Sequence, residues 1–399
     1  MKVLIAHSRY RTSAPSGENL VVDQESAALA DAGHDVSLFE RHSDEIGSWS
    51  MFDRAAIPLR ISRSRPVRRE LTDVLRRERP DVLHVHNTFP LLSPSVLLAA
   101  RDAGVPVVAT IHNYKLLCAS GDFFRDGSVC HDCVDGRLRP GLQHGCYRGS
   151  RIATVPVATG LAVNRDLWRS LVSAYVFISG AQRDLMDALR LPSDRVFVKH
   201  NFVHEPPAGP APQRRHGATY VGRLDEAKGT PALMTAWDRF RRNNPDTRLT
   251  LTVAGRGPLD GELAAWAARD ELVDYRGLVS RDEARSLVAG GLAALVPSAW
   301  EETFGLVAVE AMAAGVAPVA PATGSFPELI EHDVDGQLFS GGSDGLAESL
   351  TRMDRDPGHF LDLGTRAEQS YRAKFHPKAN LDQLVGVYEY AVTHPRAAS

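Results

Sequence analysis

Short, unbroken apolar runs recur along the chain, each followed by a longer stretch whose apolar positions return every three or four residues. Residues 2–7 (Lys-Val-Leu-Ile-Ala-His) open the series, and 36–39, 82–85, 107–111 and 175–178 repeat it. Between them, 21–32, 68–79 and 181–189 carry helical spacing. A continuous rather than alternating run belongs to a strand covered on both faces, which predicts a parallel sheet with helices on either side. Residues 206–212 (Pro-Pro-Ala-Gly-Pro-Ala-Pro) can continue neither element and read as a stiff, extended linker. After them the alternation restarts, with strands predicted at 218–221, 248–254, 273–276, 293–296 and 317–320. The chain therefore reads as two α/β units of comparable size, not as a repeat array. In such sheets ligands sit beyond the carboxyl ends of the strands, which here means the loops after residues 7, 85, 111, 221, 254, 296 and 320.

Composition narrows the function classes. The 399 residues suffice for two or three domains. Lys and Arg total 46 against 49 Asp and Glu, a net charge of -3 that argues against a protein coating nucleic acid. No run approaches the roughly 18 uncharged apolar residues of a membrane span. His7 and Arg9 interrupt the N-terminus before a signal-peptide core could form, so an intracellular location is expected. Residues 60–79 hold eight arginines against Glu70, Asp73 and Glu78, while Val67, Leu71, Val74 and Leu75 supply a helical apolar stripe. A solvated helix packed on its own sheet is the default reading of this stretch, and attachment to a membrane surface is the alternative.

Cys118, Cys130, Cys133 and Cys146 fall in one stretch, spaced C-x11-C-x2-C-x12-C, in an expected insertion over about 115–150. A reducing interior favours metal, and a central C-x2-C suits one structural, tetrahedral Zn²⁺; free thiols or two disulfides are the alternatives.

Two further stretches carry candidate chemistry. In Gly222-Arg223-Leu224-Asp225-Glu226-Ala227-Lys228-Gly229 a strand ends in Gly, and two cations follow five residues apart. The Gly permits close backbone approach, Arg offers a planar fork to phosphate oxygens, and Lys adds a point charge. A solvated turn with two surface cations is the plain alternative. In Glu301-Glu302-Thr303-Phe304-Gly305-Leu306-Val307-Ala308-Val309-Glu310, Gly305 opens a predicted helix whose free N–H groups form a diphosphate site. Glu302 precedes that helix, where capping charges are the alternative reading of Glu301 and Glu302, and Glu310 lies inside it among apolar neighbours, where an unpartnered carboxylate is costly. His84 and His86 alternate on a strand, so one is expected to face the site and the other to pack. Gly255-x-Gly257 lacks the third Gly of a dinucleotide fingerprint, and Asp333-Val334-Asp335 before Gly336 reads as a turn.

The spacing Glu302-x7-Glu310, the intervening Phe304-Gly305-Leu306 and the Gly222-Arg223-Leu224…Lys228-Gly229 stretch resemble the retaining, nucleotide-sugar-dependent GT-B glycosyltransferases of family four, the glycosyl transferases group 1. Ser16-Gly17-Glu18, His84-Val85-His86, Thr110-Ile111-His112, Phe177-Ile178-Ser179, His200-Asn201 and Ala254-Gly255-Arg256-Gly257-Pro258 follow in that family's order, so the resemblance spans nearly the whole chain. It implies two Rossmann-like domains facing each other across a cleft: an acceptor domain over 1–205, a linker over 206–216, a donor domain over 217–376 and a last helix over 377–399 crossing back to the first domain. By position it implies that Arg223 and Lys228 hold the donor diphosphate in place of Mg²⁺, and that Gly17 lies in the loop closing on the phosphates. The backbone of Phe304, Gly305 and Leu306 would meet sugar and phosphates, Glu302 the sugar hydroxyls and Glu310 the ribose. His112 would lie beside the anomeric carbon. The family often has paired glycines where Ser16 precedes Gly17 here. The implied partners are a nucleotide-sugar donor, UDP- or GDP-linked, and an acceptor such as a growing glycan, a lipid-linked glycan or a small natural product. A nucleotide-sugar epimerase of the same fold and a non-catalytic sugar-nucleotide binding protein are the rival readings.

Overall fold

A computed structural model describes residues 1–12, 16–205 and 217–396, so the linker predicted over 206–216 lies outside the described residues. The chain forms two compact units. The first comprises Met1–Phe123, Cys130–Asn201 and Lys378–Ser399, the second Phe124–Val129 and Phe202–Pro377.

In the first unit the strands are β1 (Lys2–Arg9), β2 (Asp35–His42), β3 (Val82–Val85) and β4 (Val107–Ile111). A short antiparallel hairpin follows, β5 (Phe124–Arg125) with β6 (Ser128–Val129), and then β7 (Ala174–Phe177) and β8 (Val196–Val198). The main sheet runs β2-β1-β3-β4-β7-β8, with every pairing parallel. Its strands are buried throughout where both faces are covered, as at Val82–Val85 and Val107–Ile111. The helix Pro377–Thr393 closes one face: Leu384, Val387, Tyr388 and Ala391 pack on Val3, Ile5, Val82, Val108, Ala174 and Val176. Full burial of each large side chain there is worth roughly 1.5–3 kcal/mol.

In the second unit β9 (Ala218–Val221), β10 (Leu251–Ala254), β11 (Val273–Tyr275), β12 (Ala293–Leu295), β13 (Ala317–Pro321) and β14 (Gln337–Phe339) form a parallel sheet. Its order is β11-β10-β9-β12-β13-β14. Connections therefore lead one way from β9 and the other way from β12, and the crevice beyond these two neighbouring strands is the topological switch point. Trp237, Phe240, Leu251 and Val253 centre the core, with the buried indole Nε1–H of Trp237 donating to Asp270 at 2.9 Å.

Several expectations shift. The first helix begins at Gly17 rather than Val21, because Ser16 caps it, its Oγ accepting from the Glu18 amide at 3.2 Å. Gly17 is thus a first-turn helical residue and not a loop residue. The basic stretch 60–79 is broken: one helix spans Met51–Ser62 and another Arg65–Glu78, with extended backbone at Arg63 and Ser64 between them. Val67, Leu71 and Leu75 of the second are buried, as the stripe predicted. The strands β8 and β14 and the helix Arg151–Leu171 were not anticipated.

Candidate active site

At the switch point of the second unit, the turn after β9 is pinned by backbone bonds. Gly222 N–H donates to Ala254 O at 3.1 Å, Leu224 N–H to Arg256 O at 3.2 Å and Leu259 N–H to Leu224 O at 3.0 Å. The Gly255-x-Gly257 stretch therefore clasps the Gly222 turn instead of forming a dinucleotide loop. Asp225 organises the two cations: Arg223 Nε donates to Oδ2, and the Lys228 amide donates to Oδ1 at 2.8 Å. Gly229 follows with φ +75°, and a Cβ there would run into the Pro297 carbonyl oxygen, so only Gly allows the turn to sit against the segment after β12.

From that segment comes Glu302, buried at its side chain. Its Oε1 accepts from Lys228 Nζ at 2.6 Å and from Ser298 Oγ at 2.7 Å, and the ammonium also lies 5.2 Å from the Trp300 ring centre. Burial pushes the Glu302 carboxyl up, but the Lys228 charge and the hydrogen bonds outweigh it and hold the group below its ordinary value. Lys228 and Glu302, 74 residues apart in sequence, thus act as one charged pair. Arg223 is the more exposed cation, 63% accessible at its side chain.

Gly305 has φ +94° and caps the helix Leu306–Ala313; a Cβ would approach Phe326 Cε1 to 2.6 Å. Ser325 locks the approach to that helix, its Oγ donating to Phe304 O at 2.6 Å and its amide to Glu302 O at 3.1 Å. The helix start presents free N–H groups and the positive dipole end. Glu310 lies more than one turn in, with Arg281 Nη2 3.9 Å from Oε1. Burial raises its carboxyl pKa, and Arg281 and Arg285 oppose that. The structure therefore brings Gly222, Arg223, Lys228, Glu302, Phe304, Gly305, Leu306 and Glu310 to two adjoining segments of one sheet edge. Asp333–Asp335 is the turn expected: Asp335 Oδ1 accepts from the Glu331 amide at 2.7 Å and Asp333 pairs with Arg352 at 2.6 Å.

In the first unit, histidines gather where β1, β3 and β4 end. The expectation that His84 and His86 point to opposite faces is wrong, because side chains two apart on a strand share a face; their ring centres are 4.0 Å apart. His84 Nε2 bonds Thr110 Oγ1 at 2.7 Å and Nδ1 bonds Tyr388 OH at 2.8 Å. His86 Nδ1 bonds His112 Nε2 at 2.8 Å, and the two rings stack. Burial drives all three pKa values down, His84 to about 3. His86 and His112 line a cavity of about 80 Å³ with Asn87, Asn113, Lys115 and Trp168. The Lys115 ammonium donates to Ala119 O at 2.7 Å and Ser120 O at 3.0 Å, and burial lowers its pKa to about 8.

Beneath the histidines lies a pair that sequence reasoning missed. Glu25 Oε1 accepts from Lys199 Nζ at 2.7 Å, and Lys199 also reaches Asn380 Oδ1 at 2.8 Å. Val21, Glu25 and Leu29 fall on one helical face, so a buried charge at 25 was readable from the spacing. Glu25, His84 and His86 are the one set among the described residues whose three ligand atoms lie within 4.8 Å of one another. Lys199 already balances the carboxylate and both His84 nitrogens are bonded, an arrangement that disfavours a divalent cation. Burial, with smaller contributions from Cys118, Cys146 and Cys130, raises the Cys133 thiol to about 11.

Residues 205–374 match the family described as Glycosyl transferases group 1, and residues 16–201 match the Glycosyl transferase 4-like domain. The chain is 24% identical over 341 residues to a D-inositol 3-phosphate glycosyltransferase of Nocardiopsis dassonvillei, covering 78% of this chain and 71% of the relative. It is 28% identical over 412 residues to a glycogen synthase of Mycobacterium tuberculosis, covering 94% and 91%. Among solved structures it resembles Anabaena HepE in complex with UDP, with a TM-score of 0.71 and 17% identity over 98% of this chain and 100% of that one. The UDP-glucose complex of HepE gives a TM-score of 0.67 at 18% identity, over 98% and 99%.

Proposed function

Because the chain belongs to the group 1 glycosyltransferases, enzymes of hexosyltransferase type with GT-B architecture, we propose that it moves a sugar from a nucleoside diphosphate donor to an acceptor with retention at the anomeric carbon. The observation that carries this reading is the switch-point constellation of the second unit, where Lys228, Glu302 and the Gly305 helix start converge. Lys228, Arg223 and the helix start at Gly305, with the backbone from Phe304 to Leu306, would neutralise the diphosphate as it leaves, without a divalent cation. Glu302 would accept from sugar hydroxyls and Glu310 from the ribose. His112, on the first unit, would serve the reacting sugar. A uridine nucleotide is the favoured donor base, supported by the UDP and UDP-glucose bound to HepE. The acceptor would be a glycan, a lipid-linked glycan or a small natural product.

A membrane-borne acceptor has support in the first unit. The helix Met51–Ser62 packs beside Arg151–Leu171, and both carry exposed apolar side chains: Phe52 is 83% exposed, Ile152 87%, with Met51, Leu59, Val155 and Val163 exposed too. Arg54, Arg60, Arg63, Arg65 and Arg151 are close in sequence to this face. Apolar wedges beside cations suit the surface of an anionic bilayer, and this face is a better candidate than the Arg65–Glu78 helix, whose apolar stripe is buried. No described helix is long and apolar enough to cross a membrane. The four cysteines are proposed, on spacing alone, to close on one Zn²⁺.

A panel of UDP- and GDP-sugars tests the proposal. Slow release of free nucleoside diphosphate, accelerated by the right acceptor, is expected. An isomerised nucleotide sugar without release would identify an epimerase, and binding with neither outcome a non-catalytic receptor.

A further inference from the structure

The buried polar groups beneath His112 form a chain whose proton positions can be worked out. Glu25 and His86 are both fully buried at their side chains, with Glu25 Oε2 and His86 Nε2 3.7 Å apart. Neither atom has a hydrogen-bond partner among the described residues, although the other oxygen of Glu25 is held by Lys199 at 2.7 Å. At its other nitrogen, His86 shares a single hydrogen bond of 2.8 Å with His112 Nε2.

We propose that Glu25, acting through His86, fixes His112 in the tautomer that carries its proton on Nε2, leaving Nδ1 as the nitrogen that accepts. The 2.8 Å bond admits two arrangements. If His86 donates from Nδ1, its Nε2 holds a lone pair that faces a carboxylate oxygen across 3.7 Å, so two buried acceptors oppose each other. If His86 instead carries its proton on Nε2, that N–H faces the carboxylate and Nδ1 accepts from His112 Nε2–H. The second arrangement gives both otherwise unmet atoms a complementary neighbour, and buried polar groups are overwhelmingly found paired. Burial keeps both rings neutral, so each has one proton to place. The Lys199 contact anchors Glu25 from the other side, and Asn380 and the His200 carbonyl hold Lys199 in turn.

Glu25 and His86 are thus positioning residues: they act on His112 by setting which of its nitrogens carries the proton. The tautomer does not depend on the proposed function. The test is long-range ¹H–¹⁵N correlation on the full-length protein labelled at histidine nitrogens, near pH 7.5. His86 and His112 would be assigned by the signals missing in His86→Asn and His112→Gln. Expected are a protonated Nε2 and an unprotonated Nδ1 on both rings, with or without a nucleotide present. A protonated Nδ1 on His112, or a doubly protonated ring, would overturn the proposal even if transferase activity were intact. In Glu25→Gln, or in Glu25→Gln/Lys199→Met if the single variant does not fold, the His112 Nε2–H population should drop toward a mixture of tautomers. An unchanged His112 pattern in either folded variant would show that Glu25 does not set it.

Discussion

Replacing Glu302 by Gln preserves the side chain's shape while removing its charge, and so separates two things the carboxylate does. On the ground-state side, it holds the Lys228 ammonium at 2.6 Å. Unit charges about 4 Å apart attract by roughly 4 kcal/mol at an effective dielectric near 20, and desolvating the Glu302 carboxylate, 7% exposed, offsets much of that. Lys228 is 31% exposed and can be rehydrated once released. The stability cost should therefore be about 1–2 kcal/mol, below the 3–5 kcal/mol typical when a fully buried partner is orphaned. For a diphosphate, the freed ammonium is more available and a neighbouring negative charge is gone. UDP should bind as well as before or up to about 5-fold tighter, which is about 1 kcal/mol. Turnover should move the other way, because sugar-hydroxyl contacts strengthen as the ring flattens toward an oxocarbenium ion. Losing one preorganised group of this kind costs about 10²-fold in kcat. Calorimetry with UDP and a nucleotide-release assay with the donor sugar give the two numbers. If UDP affinity fell by the same factor as kcat, the carboxylate would be acting only by holding Lys228 for the phosphates, and its sugar role would be refuted.

Lys228→Ala should cost about 2–4 kcal/mol in transition-state stabilisation, read as kcat/KM; brief chelation should leave wild-type turnover intact, and restoration by Mg²⁺ alone after a chelation-induced loss would contradict the cation-only site. Glu310→Ala should mainly raise KM and weaken UDP binding by about 10-fold, since ribose contacts change little on the way to the transition state; a kcat loss with unchanged UDP affinity would reverse the assignment. Acid should destabilise the first unit. His84 has its folded pKa depressed to about 3, and His86 and His112 lie well below 6.5, so the unfolded chain takes up protons that the folded one refuses. Each contributes stability present above about pH 6.5 and lost as pH falls, at roughly 1.4 kcal/mol per pH unit; urea midpoints should drop steeply between about pH 6 and pH 4, and a flat profile would show the rings accept protons in place. Elemental analysis is expected to find about one zinc per chain, and thiols that titrate freely in metal-free, equally stable protein would remove the zinc proposal.

Strands at Val82–Val85, Val107–Ile111 and Ala218–Val221 were legible because their apolar runs are bounded by charges, Pro or Gly. The Gly305 helix start was legible for the same reason, and Glu310 fell inside the helix as its spacing required. What escaped notice depended on distant partners. The helix Met51–Ser62 turns Met51, Phe52 and Leu59 outward, so its apolar residues do not trace a core-facing stripe. β8 is three residues long and takes its place by pairing with β7. Nothing local at Lys228 announces Glu302, and nothing near Glu25 announces Lys199, because both pairs are assembled by the sheets. His84 of β3 and His86 just beyond it were misjudged through strand geometry, since the period of two puts positions 84 and 86 together.

The central claim is that a nucleoside diphosphate sits at the β9/β12 switch point, held by side chains and a helix start without metal. Isothermal titration of UDP into protein freed of exchangeable divalent ions tests it most directly. The account predicts saturable binding to about one site per chain, with no gain from Mg²⁺, weakened by Lys228→Ala and Glu310→Ala and unaffected by His112→Gln. Binding that appears only with Mg²⁺, or that survives Lys228→Ala and Glu310→Ala unchanged, would contradict it.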